Sequence, residues 1–289
     1  MSGQSSPASS PIALVTGASR GIGRASALAL ADVGFDVAIT ARTVREGEGK
    51  VGPPTSDGGG DVTVPGSLET TAAEIADRGQ RALPITMDLL SAESVRAAAA
   101  TALDEWGQVD VLVNNAIWSG PGLLDPVGVL NLEALDTAFT ANVLRQVLLT
   151  QLILPSMLEQ GSGLILNLTS SAGQVDDPPY QVVELKMLGF AHCASKGAFH
   201  RMAPLLQAEH ESDGITAVNI DPGFTWTETM AALDLHNFGG APPEATGAVV
   251  AWLAEEPERA AQWRGRNLNS LELCAELGLV EGWPPENGT

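Results

Sequence analysis

Basic residues are scarce in this chain. Fifteen Lys and Arg stand against thirty-five Asp and Glu, a formal net charge of −20 over 289 residues. A surface of that sign repels nucleic acid and anionic membranes and speaks against both as partners. It also means that a phosphate-bearing ligand must be held by local donors, because the overall field opposes it. Cysteine is scarcer still: Cys193 and Cys274 are the two present. Two thiols make no disulfide framework, and Cys193 reads as an inert, semi-buried thiol. There is one tyrosine, Tyr180. His192, Cys193, His200 and His210 lie close in sequence, but no ligand pair has zinc-type spacing with a partner pair, so no metal is expected. Long apolar runs are missing as well. Val147–Leu154 is too short to span a bilayer, and the opening MSGQSSPASSP lacks the basic start and apolar stretch of a signal peptide. Residues 1–10 read as a disordered tail and the protein as cytoplasmic.

What is present is a strict alternation of strands and helices. IALVTG, DVAITA, ALPITMDL, VDVLVNNA, SGLILNLTS and GITAVNIDPG are short apolar runs, and Asn267–Leu271 is a candidate for a further strand. Helix-forming segments lie between them. SLETTAAEIADRG opens on a Ser cap and closes on Gly79, and SAESVRAAAATALDEWG starts at Ser91/Ser94. Continuous apolar strands joined by helices predict an α/β fold: a single doubly wound parallel sheet, Rossmann-like, with helices on both faces. Residues 143–158 are apolar on nearly every side, which predicts a buried helix, covered in part by another subunit, that Pro155 ends or kinks. Another helix is expected at about 195–211. The whole chain reads as one domain with one interruption. Residues 43–66, rich in Gly, Pro and charge, are far longer than an ordinary strand–helix connection. They read as a surface insertion, either an idle loop or a lid over the adjacent ligand site.

The first strand runs into TGASRGIG, residues 16–23, and then into a helix. Gly17 permits the tight turn, Gly21 lets backbone approach a pyrophosphate, and Gly23 allows helix and strand to pack closely. Amides at the helix start make an anion site. In this strand–turn–helix context the turn points to a dinucleotide. The second strand ends Thr40-Ala41-Arg42, without the acid that would hold a free ribose hydroxyl. Arg42 offers a fork for a 2′-phosphate, and Arg20 can add a second cation, so NADP(H) is favoured over NAD(H). Pairing of Arg42 with a loop acid such as Glu46 is the competing reading.

An ordered series of motifs then resembles the short-chain dehydrogenase/reductase family from about residue 11 onward. TGASRGIG is similar to the family's TGxxxGxG. Asp88 matches the aspartate that meets the adenine. NNA at 114–116 is similar to NNAG, with Ile117 in place of the last Gly. Asn142 matches the helical asparagine of the proton relay, Ser170 the catalytic serine, and Lys196 the lysine of YxxxK. DPGFTWT, 221–227, is similar to PGxxxT. The resemblance implies a hydride-transferring oxidoreductase acting on an alcohol or carbonyl, commonly as a homodimer or homotetramer. Its catalytic positions are Asn142, Ser170, His192 and Lys196. Its cofactor contacts come from Gly17, Ser19, Arg20, Gly21, Ile22 and Gly23 in the turn, from Arg42, Asp88, Leu89, Asn115 and Ala116, and from Lys196, Pro222, Gly223, Phe224 and Thr227.

The departure is at His192, which stands in the tyrosine's place. In that family the lysine depresses a phenol's pKa. Beside a histidine the same cation disfavours imidazolium and keeps the ring neutral, a plausible base for alcohol oxidation and a poor acid for carbonyl reduction. The ring is also shorter than a phenol, so a bridging water is expected. Tyr180 could serve as a surrogate donor or simply as pocket wall. Trp118, Tyr180, Met187, Phe224, Trp226 and Met230 are candidate walls of an apolar substrate pocket. The alternative is a catalytically silent NADP(H)-binding homologue.

Overall fold

The computed structural model describes residues 10–174, 176, 188–234 and 240–285. Tyr180, Lys186 and Met187 fall outside them. Seven parallel strands make the main sheet, in the order β5-β2-β1-β6-β7-β8-β9. They are β1 (Ile12–Thr16), β2 (Asp36–Ala41), β5 (Ala82–Thr86), β6 (Val111–Asn114), β7 (Gly163–Leu168), β8 (Ile215–Asp221) and β9 (Asn267–Asn269). The chain builds outward from β1 through β2 to β5, then returns to the other side of β1 and builds β6 to β9. The direction therefore reverses between β1 and β6, and a crevice opens there at the carboxyl ends of the strands.

Each face of the sheet has its own core. On one, α1 (Gly21–Asp32), α2 (Leu68–Ala76), α9 (Pro243–Glu255) and α11 (Ser270–Leu277) pack on Val15, Val37, Ile39, Val113 and Leu166. On the other, α3 (Ala92–Trp106), α5 (Arg145–Gln160) and α7 (Met202–Glu209) cover Leu14, Leu112, Ile165 and Ala217. Alternate residues of each strand serve opposite cores, which is why the strands read as unbroken apolar runs. Helices α1 and α9 lie so close that a Cβ on Gly247 would fall 2.7 Å from the Ala25 backbone. Ser67 and Ser91 cap α2 and α3 through the amides of Thr70 and Ser94, as their positions predict. Helix α2 ends at Ala76, and Gly79 takes a left-handed φ of 81° two residues beyond its cap.

Three expectations need correction. The apolar stretch at 143–158 is not buried on every side of this chain. Leu149, Ile153 and Met157 face the core, whereas Gln151, Pro155 and Glu159, each two residues on, are exposed. Pro155 therefore sits on the solvent face, where water can satisfy the carbonyl it leaves, and α5 continues through it to Gln160. The helix expected at 195–211 begins earlier, as α6 (Phe190–His200), and α7 follows it after Arg201. Last, the insertion is not an irregular loop throughout: it forms a two-strand hairpin, β3 (Lys50–Val51) with β4 (Val62–Thr63), that docks elsewhere on the fold.

A polar rung crosses the sheet. Asn114, Asn167, Asn219 and Asn267 stand in register on β6, β7, β8 and β9. Asn114 donates to Asn167 at 3.1 Å and Asn167 to Asn219 at 3.3 Å, and Asn219 donates to the carbonyl of His200 at 2.7 Å. The first three are fully buried, so each bond replaces water that cannot reach it.

Candidate active site

A cavity of about 430 Å³ occupies the crevice between β1 and β6. Its floor is stitched from the strand ends. The Thr16 hydroxyl donates to the carbonyl of Val113 and accepts from the amides of Asn115 and Ala116, both at 2.9 Å. Asn115 Nδ2 donates to the carbonyl of Thr16 at 2.7 Å. The glycine turn leaves no room for side chains: a Cβ on Gly23 would lie 2.3 Å from the carbonyl oxygen of Gly17, and Gly17 and Gly21 have φ of 70° and 55°. Gly17, Ser19, Arg20, Gly21, Ile22 and Gly23 all line the cavity, joined by Arg42, Asp88, Leu89, Asn115, Ala116, His192 and Thr227.

Asp88 holds its own turn by accepting from the amide of Leu90. Arg42 is exposed at the end of β2, and no described residue pairs with it. Glu46 instead accepts from the amide of Gly66 and from Thr70. Arg20 is engaged. Its guanidinium donates to the carbonyls of Pro65 and Gly66, both at 2.9 Å, and to Thr43. Burial lowers its pKa from the ordinary value, opposed by Glu228 and then Glu46.

At the far end of the cavity stands His192, in the first turn of α6, its amide donating to the carbonyl of Leu123. Its Nδ1 is buried, with no hydrogen-bond partner among the described residues. The ring's pKa is pushed down to about 4, by burial first and by the Lys196 ammonium second. Lys196 follows one helical turn later, 7% exposed, and donates to the carbonyl of Leu168 at 2.6 Å. Burial lowers its pKa to about 8, with Asp221 opposing. Ser170, two residues past that carbonyl, caps a short turn over Ser171–Gly173 by accepting from the amide of Ala172. This turn lies so tightly on α6 that a Cβ on Gly173 would sit 2.4 Å from the amide of Gly197.

Asn142 lies in a π-helical turn, Thr140–Leu144, between α4 (Leu132–Phe139) and α5, a deformation that recurs at functional sites. It clamps Trp118, accepting from its amide at 2.7 Å and donating to its carbonyl at 3.4 Å. Asn142, Ser170, Lys196, Pro222, Gly223 and Phe224 lie outside the cavity wall itself. Of the expected apolar walls, Trp118 and Met230 line it and Phe224 and Trp226 do not; Tyr180 and Met187 fall outside the described residues. Sequence reasoning missed Leu123, Leu124, Lys50, Val51 and Pro54. The last three come from the insertion, whose length was the available signal.

The insertion is strapped across the crevice. Ser56 donates to Asp125 through its amide, at 3.0 Å, and its hydroxyl, at 2.5 Å, and the amide of Leu124 donates to the carbonyl of Pro54. Asp125 is 4% exposed. Among the described residues, no three His, Cys, Asp or Glu side chains group to hold a metal ion, and no helix is long and apolar enough to cross a membrane.

A crevice of this shape, at the switch point of a doubly wound sheet and walled by a glycine turn, is that of a dinucleotide-binding oxidoreductase fold. The short chain dehydrogenase family model matches residues 61–237, and the chain belongs to that family. It is 30% identical over 270 residues to a 3-oxoacyl-(acyl-carrier-protein) reductase of Synechocystis, covering 89% of this chain and 94% of that one. It is 30% identical to a reductase of the same description from Staphylococcus aureus, over 76% of this chain and 77% of that one. Among solved structures, a metagenomic short-chain oxidoreductase in complex with NADP is 26% identical, with a TM-score of 0.67, over 90% of this chain and 95% of that one.

Proposed function

We propose that the protein is an NADP-dependent oxidoreductase that interconverts an alcohol and a carbonyl on a small, apolar substrate. The observation that carries this reading is that one cavity joins the glycine turn, Arg42, Asp88 and His192. The group fits: the turn has the cradle that a pyrophosphate needs, and the amide of Gly21 already donates to an anionic partner, the carboxylate of Glu228, at 2.8 Å. Gly17, Ser19, Gly21, Ile22 and Gly23 would hold the pyrophosphate, Arg42 a 2′-phosphate, and Asp88 and Leu89 the adenine. Asn115 and Ala116 would support the ring from the floor, and Thr227, with the backbone of Pro222, Gly223 and Phe224, would meet the nicotinamide end. Bound there, the nicotinamide supplies hydride-transfer chemistry.

The chain's own residues manage the proton. With a pKa of about 4, His192 is a neutral imidazole at pH 7. His192 would take the hydroxyl proton of a bound alcohol, directly or through one water, and pass it to solvent. Ser170 hydrogen-bonds the substrate oxygen, Lys196 supplies the nearby positive charge, and Asn142 positions the segment carrying Trp118. Relatives described as reductases favour this reading over a silent cofactor-binding homologue. Leu144 and Leu205, 54% and 50% exposed, flank the outer faces of α5 and α7 and favour a homodimer or homotetramer.

The test pairs nucleotide titration with turnover. Wild type is expected to bind NADPH more tightly than NADH, and Arg42→Ala to lose about tenfold for NADPH alone. His192→Tyr is expected to raise carbonyl reduction by at least about a hundredfold. Undiminished turnover in His192→Ala would remove the proton assignment, and no affinity for either nucleotide would remove the whole reading.

A further inference from the structure

The amide of Gly21 opens α1, at the positive end of a twelve-residue helix, and in this structure it donates at 2.8 Å to Glu228 Oε2. Glu228 is the first residue of α8 (Glu228–Ala232), directly after Thr227, which caps that helix through the amide of Met230. The Thr227 methyl lies 3.2 Å from the position a Gly21 Cβ would take, so α8 rests against the glycine turn. The field of Glu228 also reaches two cations of this region: it opposes the lowering of the Arg20 pKa by burial, and behind Glu74 it helps to raise that of Arg24. A carboxylate thus fills the seat at the head of α1, making the charge-assisted bond that a phosphate oxygen would make.

We propose that Glu228 is an internal competitor of the cofactor, its carboxylate holding the anion seat until a phosphate displaces it, so that this one side chain sets nucleotide affinity. The proposal rests on the cofactor reading above. Two anions cannot share one amide, and a displaced carboxylate still sits beside the incoming pyrophosphate in a chain already short of positive charge. Removing the charge while keeping the shape therefore tightens binding. It also removes a bond that the ligand-free protein uses, so stability and affinity move in opposite directions, which a merely structural role for Glu228 would not produce.

The experiment measures NADPH and NADH dissociation constants and melting temperatures with and without nucleotide, for wild type, Glu228→Gln, Glu228→Ala and Glu244→Gln. Glu244, in the first turn of α9, also acts on Arg24 and controls for the loss of one negative charge. Both Glu228 variants are expected to bind NADPH about tenfold more tightly or better. Their ligand-free melting temperatures are expected to fall by about 2–4 °C while the nucleotide-induced rise grows. Glu244→Gln is expected to stay within about twofold of wild type, the range for an exposed charge. If wild type binds nucleotide and neither Glu228 variant binds it more tightly, or if Glu244→Gln tightens it equally, the proposal falls and the cofactor reading stands. If no protein binds either nucleotide, both fall together.

Discussion

His192 concentrates the chemistry of this site in a single ring. That Lys196 would keep it neutral is legible in the sequence, because four residues on a helix bring the two side chains to one face. The larger cause is burial, and it depends on the packing of Leu123 and the β6 loop over α6, which no local pattern reports. The depressed pKa has a stability consequence of definite sign. The folded value of about 4 lies below the ordinary 6.5, so between those values the unfolded chain binds a proton that the folded chain refuses. The stability contribution is complete above about pH 6.5 and is lost as pH falls through 4, by on the order of 3 kcal/mol. Denaturant midpoints of wild type are therefore expected to fall more steeply over that window than those of His192→Gln. Parallel curves would show that the ring titrates normally. Arg20 is the contrasting case. Its place in the turn is legible, but the Pro65 and Gly66 carbonyls that engage it lie more than forty residues away.

Among the elements, regular strands and capped helices follow local chemistry and were readable. Contacts between distant segments were not. The length of residues 43–66 marks them as unusual, but nothing in their Gly and Pro content shows that Ser56 reaches Asp125, 69 residues on. Lys50, Val51 and Pro54 then face the cavity as a roof. Asp125→Ala removes both bonds at this anchor. Amide exchange over residues 50–56 is expected to accelerate by at least about tenfold, the equivalent of roughly 1.4 kcal/mol of local opening. Nucleotide dissociation followed by stopped flow is expected to quicken with it. Faster exchange with unchanged dissociation would mean that the strap covers the crevice without retaining its occupant. Pro155 carries the complementary lesson: a helix breaker by propensity is tolerated where its missing bond faces water.

Across the whole molecule, the doubly wound sheet was legible from six apolar runs, and its switch point follows from strand order. The asparagine rung was not, because each Asn ends or interrupts an apolar run and gains meaning only from registers set 52 or 53 residues apart. Asn167→Leu strands partners on both sides, on Asn114 and Asn219. It is expected to cost about 3 kcal/mol in urea denaturation with the fold retained; a cost under about 1 kcal/mol would mean that the rung is dispensable. The stitch at Thr16 has a different consequence. Its single hydroxyl satisfies the amides of Asn115 and Ala116 without any guest, so the mould is cast during folding and an arriving molecule has little backbone left to order. A valine there, matching threonine in size but unable to bond, would leave a softened mould that each visitor had to set anew.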